Sequence, residues 1–396
     1  MSPPFSPAAT SQSVVNNSQT QSSDVGSTQT LNVVDLSGAA SATSTSTGNS
    51  ASDAVASGTL TVQTSQTAAA SVTASNIINV TTNSGPSATM VTAATANTGD
   101  AASYEGGALT GTINQTVTAA GLTTAATQFN ANAAQAGDVS TSTQAIGDSH
   151  TVEVSDTSAA MTLNQTNNAT TGVNGDAVIG YTPGTATFSA TAVANEVGAT
   201  GTGNASQALT VNQTASGQTV SEQDANAGNA QTISGSATST VNNLTVTNEN
   251  GALAVTDNQT STGYTQAQAQ VSGYQFGSGQ ASAYGVGNSA VAGNVGPSLT
   301  FDNSQSSTGT GLVVNANFTG QTGYDASASS TAIANSVTGY ACSDCGGVIN
   351  VGNIQNSSTT VAANSQIDIA GSNRSVTASA TAVGNSASFY VSKPSH

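Results

Sequence analysis

The sequence predicts an all-β protein: a β-solenoid of eight stacked repeats of about 47 residues, with Asn/Gln ladders of the functional-amyloid kind. Three observations predict it. A glutamine recurs at nearly constant spacing, an asparagine recurs with the same period, and the peptides between them alternate small and β-branched residues.

The glutamines stand at Gln19, Gln66, Gln115, Gln165, Gln213, Gln259, Gln305 and Gln355 in peptides such as LNQT and VNQT, 46 to 50 residues apart. The second marker falls at Asn49, Asn97, Asp148, Asn195, Asn242, Asn288, Asn335 and Asn385, 46 to 51 residues apart. Two independent markers thus give one period, the signature of a repeat architecture.

Each repeat reads as three strands. The first ends at the glutamine. Four residues before it stand Val15, Val62, Gly111, Met161, Leu209, Val255, Phe301 and Val351, apolar in all but one copy. Even spacing puts these residues and the glutamine on one face. A weaker second strand centres on Leu31, Ile78, Phe129, Val178, Val271, Phe318 and Ile367. The third strand leads to the asparagine. Two residues before the marker every copy is β-branched (Thr47 to Val383), and three before it every copy is Ser, Ala or Gly. That alternation describes a strand whose small face lets another layer approach closely.

A unit with such small side chains cannot bury a face alone, so stacking on its own copies must supply the core. Equivalent amides then line up at about 4.8 Å and hydrogen-bond to the copies above and below. The competing reading is that the asparagines only mark turns, where Asn and Gly tolerate left-handed backbone. Whether a repeat winds one wide rung or two narrow ones is open. One rung gives a body of roughly 40 Å and two give roughly 80 Å. The expected boundaries are an N-terminal tail at 1–10, one solenoid domain at 11–390 and a C-terminal tail at 391–396.

Composition excludes several function classes. Charged residues are 5% and aromatics 4%, with no Trp. The net charge of −17 leaves Arg374 and Lys393 as the only basic residues. Nucleic-acid binding and electrostatic attachment to anionic lipid both need many more. No apolar run is long enough for a membrane helix. The start, MSPPFSPAAT, lacks the basic and apolar regions of a signal peptide. The expectation is an exported chain whose signal has been removed, rather than a cytoplasmic one.

Little in the chain carries catalytic chemistry. The histidines are His150, read as an ordinary strand or turn residue, and the terminal His396. No Ser/His/Asp set or cationic cluster can be assembled, so no enzyme, cofactor or metal is expected. Cys342 and Cys345 form a CxxC in the longest Asn-to-Gln connection and are expected to close a local disulfide. Neither the helix of a redox motif nor the further ligands of a zinc site accompany them. The Gly-Asp pairs at 99–100, 137–138, 147–148 and 175–176 are not periodic, which disfavours calcium and reads as turns. A threonine column (Thr45, Thr191, Thr238, Thr331, Thr381) resembles an ice-binding face, but Ala93, Gln144 and Tyr284 interrupt it.

With the repeats in place, the sequence resembles the holdfast-anchoring HfaD family of stalked alphaproteobacteria. The resemblance lies in the TSTGNSAS and TAVGNSAS peptides alternating with LTVNQT, and it spans nearly the whole chain. It implies a protein on the extracellular face of the outer membrane that attaches an adhesive polysaccharide to the cell. A curli-like partner subunit, an outer-membrane secretion pore and assembly into a homopolymer are the partners it implies, with no catalytic residues. The alternative is an ice-binding or other passive solenoid scaffold without a glycan role.

Overall fold

The computed structural model describes residues 12–342 and 347–392, and every regular element in them is a β-strand. The glutamine-bearing strands are β1 (Gln12–Gln21), β4 (Thr59–Ala68), β7 (Ala108–Val117), β10 (Ser158–Asn167), β12 (Ser206–Ala215), β14 (Ala252–Ser261), β16 (Ser298–Ser307) and β18 (Val348–Ser357). They form one eight-stranded sheet in that order, and every pairing is parallel.

The rest of each repeat builds a second sheet. At the N-terminal end the second and third strands are separate: β2 (Val25–Asp35) and β3 (Ala40–Val55), β5 (Val72–Asn83) and β6 (Ser87–Tyr104), β8 (Thr123–Gln135) and β9 (Asp138–Ser155). In the middle they merge into β11 (Thr171–Thr202), β13 (Thr219–Asn248), β15 (Thr265–Asn294) and β17 (Leu312–Cys342). They part again as β19 (Val361–Ile369) and β20 (Ser375–Ser392).

Registers such as Gln66 opposite Gln115 and Asn242 opposite Asn288 show that each repeat makes one turn. The wide-rung alternative is therefore the one the chain adopts, and eight strands at about 4.8 Å give a body of roughly 40 Å.

Each rung is a flattened two-layer loop. One core packs Ile78, Phe129 and Phe318 of the second strands against Met90, Phe188 and Ile233 of the early third strands. Another packs Leu60, Leu163 and Leu209 of the first strands against Val152, Val197 and Leu244 of the late third strands. The third strand thus runs back across both of the others. The phase of the alternation changes at the marker: Ala192, Ala194 and Asn195 are all buried, and the pairing register skips Ala194. There is no room for bulk at this kink. A Cβ on Gly287 would lie 2.5 Å from the carbonyl oxygen of Ala334. The small residues around each asparagine are needed for that close approach.

Two expectations are corrected. The second-strand column continues from Phe129 to Ala177, not Val178, because Val178 pairs with Asn130 and Asn226 on the other face. Three of the four Gly-Asp pairs (99–100, 147–148 and 175–176) lie inside β6, β9 and β11 rather than in turns. In strands this dominated by hydrogen bonding to neighbouring rungs, the stacked register overrides local turn preference.

Candidate functional site

The glutamines form an unbroken column. From Gln66 to Gln355, each Nε2 donates to the Oε1 of the glutamine one repeat earlier, at 2.8–2.9 Å. The amide's second hydrogen goes across the rung to a main-chain carbonyl just after the marker: Gln66 to Thr98, Gln165 to Glu196 and Gln259 to Ser289, at 2.8–2.9 Å. Both donors of each glutamine are used.

The asparagine column runs the opposite way. Asn49 donates to Asn97, Asn97 to Asp148, Asn195 to Asn242, Asn242 to Asn288, Asn288 to Asn335 and Asn335 to Asn385, at 2.7–2.8 Å. Each of these asparagines except Asn385 and the aspartate also donates to a carbonyl one residue past the next glutamine, as Asn49 does to Thr67 and Asn242 to Thr260. The two columns therefore stitch the layers together in the middle of each rung. Buried amides are costly unless paired, and here stacking pairs them.

One step is missing. Asp148 Oδ2 and Asn195 Oδ1 are buried without a hydrogen-bond partner, although the two residues are in register. Burial pushes the Asp148 carboxyl up to about 8, against the opposing hydrogen bond from Asn97. Two residues on, His150 is buried with both ring nitrogens unpartnered, over Gly99, whose missing side chain leaves it room. Burial lowers the imidazole to about 4, opposed by the charge of Asp100. His150 occupies an apolar column between Gly99 and Val197, so it is a strand residue of the core. A parallel case lies in the first sheet: Asp257 is fully buried with both carboxyl oxygens unpartnered, in register with Asn303, whose Oδ1 is also unpartnered. Burial raises the Asp257 carboxyl well above the usual range.

The outer face of the first sheet carries a feature that the glutamine alignment passes over. Asn114, Asn164, Asn212 and Asn258 form a second amide row on the surface, bonded at 2.8–2.9 Å. Threonines flank this row in every copy: Thr112 and Thr116, Thr162 and Thr166, Thr210 and Thr214, Thr256 and Thr260. The result is a flat, uncharged lattice of hydroxyls and amides. The N of each NQT peptide was its signal in the sequence.

Among the described residues no group of three His, Cys, Asp or Glu side chains could hold a metal ion. No helix there is long and apolar enough to cross a membrane. Cys342 is buried at the end of β17, and Cys345 lies outside the described residues, as does the CxxC loop.

A solenoid of self-stacked amide ladders with an uncharged outer lattice defines a structural repeat protein. The model of the family described as holdfast attachment protein D, HfaD, matches residues 34–311, more than half of the chain. The chain belongs to that family, and with it comes a role in holdfast attachment. No curated protein and no solved structure matches it.

Proposed function

We propose that the protein is a rigid cell-surface anchor that holds an adhesive polysaccharide on the outer face of the outer membrane. The observation that carries this reading is the family match together with the doubly stitched rung. An anchor must resist being pulled apart, and here neighbouring rungs share parallel main-chain pairing plus two amide columns of opposite direction. The wide net negative charge keeps such a body soluble.

A curli-like subunit and a secretion pore are the proposed partners at the membrane, and copies of the chain are proposed to assemble into a polymer. Glutamines donate toward the N-terminal rungs and asparagines toward the C-terminal rungs. A second copy stacked head to tail continues both columns without reversing either, as an open heterologous assembly requires. The test is genetic and physical. Cells lacking the protein should shed their adhesive polysaccharide, and purified protein should capture it. Retention in the mutant, or no capture by the purified protein, would refute the anchoring role.

The flat Thr–Asn–Thr lattice favours one other reading, a passive scaffold that orders water in the manner of an ice-binding face. A thermal-hysteresis measurement separates the two, since an anchor should show none.

A further inference from the structure

We infer that the corner between the second and third strands, in the four rungs from β11 to β17, is a binding groove for an uncharged glycan chain, with Tyr181 and Tyr324 as its stacking platforms. The inference deepens the anchoring reading and rests on it only for the kind of partner.

The groove has a volume of about 540 Å³ and is made of three stacked columns. Tyr181, Asn229, Gln275 and Thr322 are in register, and so are Thr182, Ala230, Phe276 and Gly323. Gln231, Gly277 and Tyr324 complete the wall. Phe276 is the floor. It is 5% exposed, meets Phe318 edge to face at 5.0 Å, and fits the hollow left by two glycines. A Cβ on Gly320 or Gly323 would come within 2.6 Å and 2.3 Å of the Phe276 ring.

Above that floor two tyrosines stand in solvent, Tyr181 at 46% and Tyr324 at 65% exposure. Tyr324 is held by Arg374, whose guanidinium lies 5.7 Å from the ring centroid while pairing with Asp325. Between the tyrosines are amides, and the Oδ1 of Asn229 is buried there without a hydrogen-bond partner.

The lining selects the occupant. The lining itself holds no charged side chain, and Arg374 at its rim is neutralised by Asp325, in a molecule of net charge −17. A polyanion is repelled by the surroundings, and a cation finds no carboxylate in the wall. A neutral sugar chain presents apolar C–H faces to aromatic rings and hydroxyls to amides, the mixture of apolar area and few polar groups that pockets use. First to last rung is about 14 Å, the length of a short run of pyranose rings.

Isothermal titration calorimetry reads the site in every variant, because Tyr181 and Tyr324 are only two of eight tyrosines and are themselves removed in one of them. The experiment titrates the full chain with cellohexaose, chitohexaose and, as a charged control, an oligogalacturonate. Saturable binding of at least one neutral hexasaccharide is expected, with none of the control. Tyr181→Ala/Tyr324→Ala should weaken that binding by at least about tenfold with an unchanged circular-dichroism spectrum. Asn229→Leu is the second variant and should weaken it as well. No saturable binding, or equal binding by all three proteins, overturns the groove. The same proteins are then tested for capture by the cell's own adhesive polysaccharide. Equal capture of wild type and variants sinks the groove but leaves the anchor standing. Hexasaccharide binding without capture leaves the groove and sinks the anchor.

Discussion

Asp148 lies directly beside Asn195 in the stacked asparagine column, and between them two buried oxygens face the place where a hydrogen bond should be. Every other step in that column has an N–H pointing toward the C-terminal rungs. An ionised Asp148 has nothing to donate. A protonated one does, and its O–H supplies the missing link to Asn195. The same logic applies to Asp257 beneath Asn303. Burial without a cation favours the neutral acid at both aspartates and raises both carboxyls.

The pH dependence follows from the sign of each shift. Asp148 is raised in the folded state to about 8 from an ordinary 3.8, so its stabilising effect is complete below about pH 4 and is lost as pH rises to 8. His150 is lowered to about 4 from 6.5, so its contribution is complete above pH 6.5 and is lost as pH falls to 4. Asp148→Asn supplies an N–H at all pH values and should remove the alkaline loss, making the variant more stable than wild type at pH 9 by about 1–3 kcal/mol. His150→Val, matching Val197 in its column, should remove the acid loss. Urea denaturation at a series of pH values reads both. Parallel curves for wild type and variants would show that neither group titrates in the fold.

Removing a rung of the glutamine column should cost most where it is dry. Gln165→Leu leaves Gln213 without its acceptor, Gln115 Oε1 without its donor and the Glu196 carbonyl unpaired. At about 1–3 kcal/mol for each buried group left alone, a loss of several kcal/mol is expected. Gln19→Leu at the first rung also leaves Gln66 without its acceptor. But Gln19 is half-buried and its bond to the Ser50 carbonyl is exposed, so water can replace part of what is lost and the cost should be smaller, about 1–2 kcal/mol. Equal losses at both positions, measured by chemical denaturation, would mean the column contributes by shape alone.

Gly111 looks like a gap in the apolar column between Val62 and Met161, and a consensus repair would place valine there. The structure gives the opposite outcome. Its φ of 144° is one that side chains rarely adopt, and a Cβ would lie 1.8 Å from the Val62 carbonyl oxygen. Gly111→Val should therefore lower the thermal midpoint, with a cost of about 1–3 kcal/mol or more. A rise in that midpoint would show that the backbone relaxes freely.

The columns were legible in the sequence because a stacked fold repeats its chemistry at a fixed interval, and an amide is a conspicuous letter among Ala, Ser and Thr. Single departures from the period were not. Ala177 gives no apolar signal, so neighbouring Val178 takes its place in a pattern reading although it faces outward. His150 is one histidine in a strand, and only the packing over Gly99 shows that it is buried. The kink at each asparagine showed only as small residues, because its cause is the approach of a carbonyl from the next rung. The tyrosine groove was invisible for a similar reason. Tyr181 and Tyr324 occupy different columns of the corner, and no single alignment puts them together.

Stacking by one repeat is the claim on which the rest depends, and cysteine trapping tests it most directly. In a Cys342→Ser/Cys345→Ser background, Thr61→Cys/Thr110→Cys places thiols on facing positions of adjacent rungs, where the native hydroxyls are 3.1 Å apart. Thr61→Cys/Ala160→Cys places them two rungs apart, at about 10 Å, beyond the reach of a disulfide. Mild oxidation should link the first pair almost completely within one chain and leave the second pair free. A second pair that links as readily as the first, or a first pair that does not link at all, would contradict the stacked register.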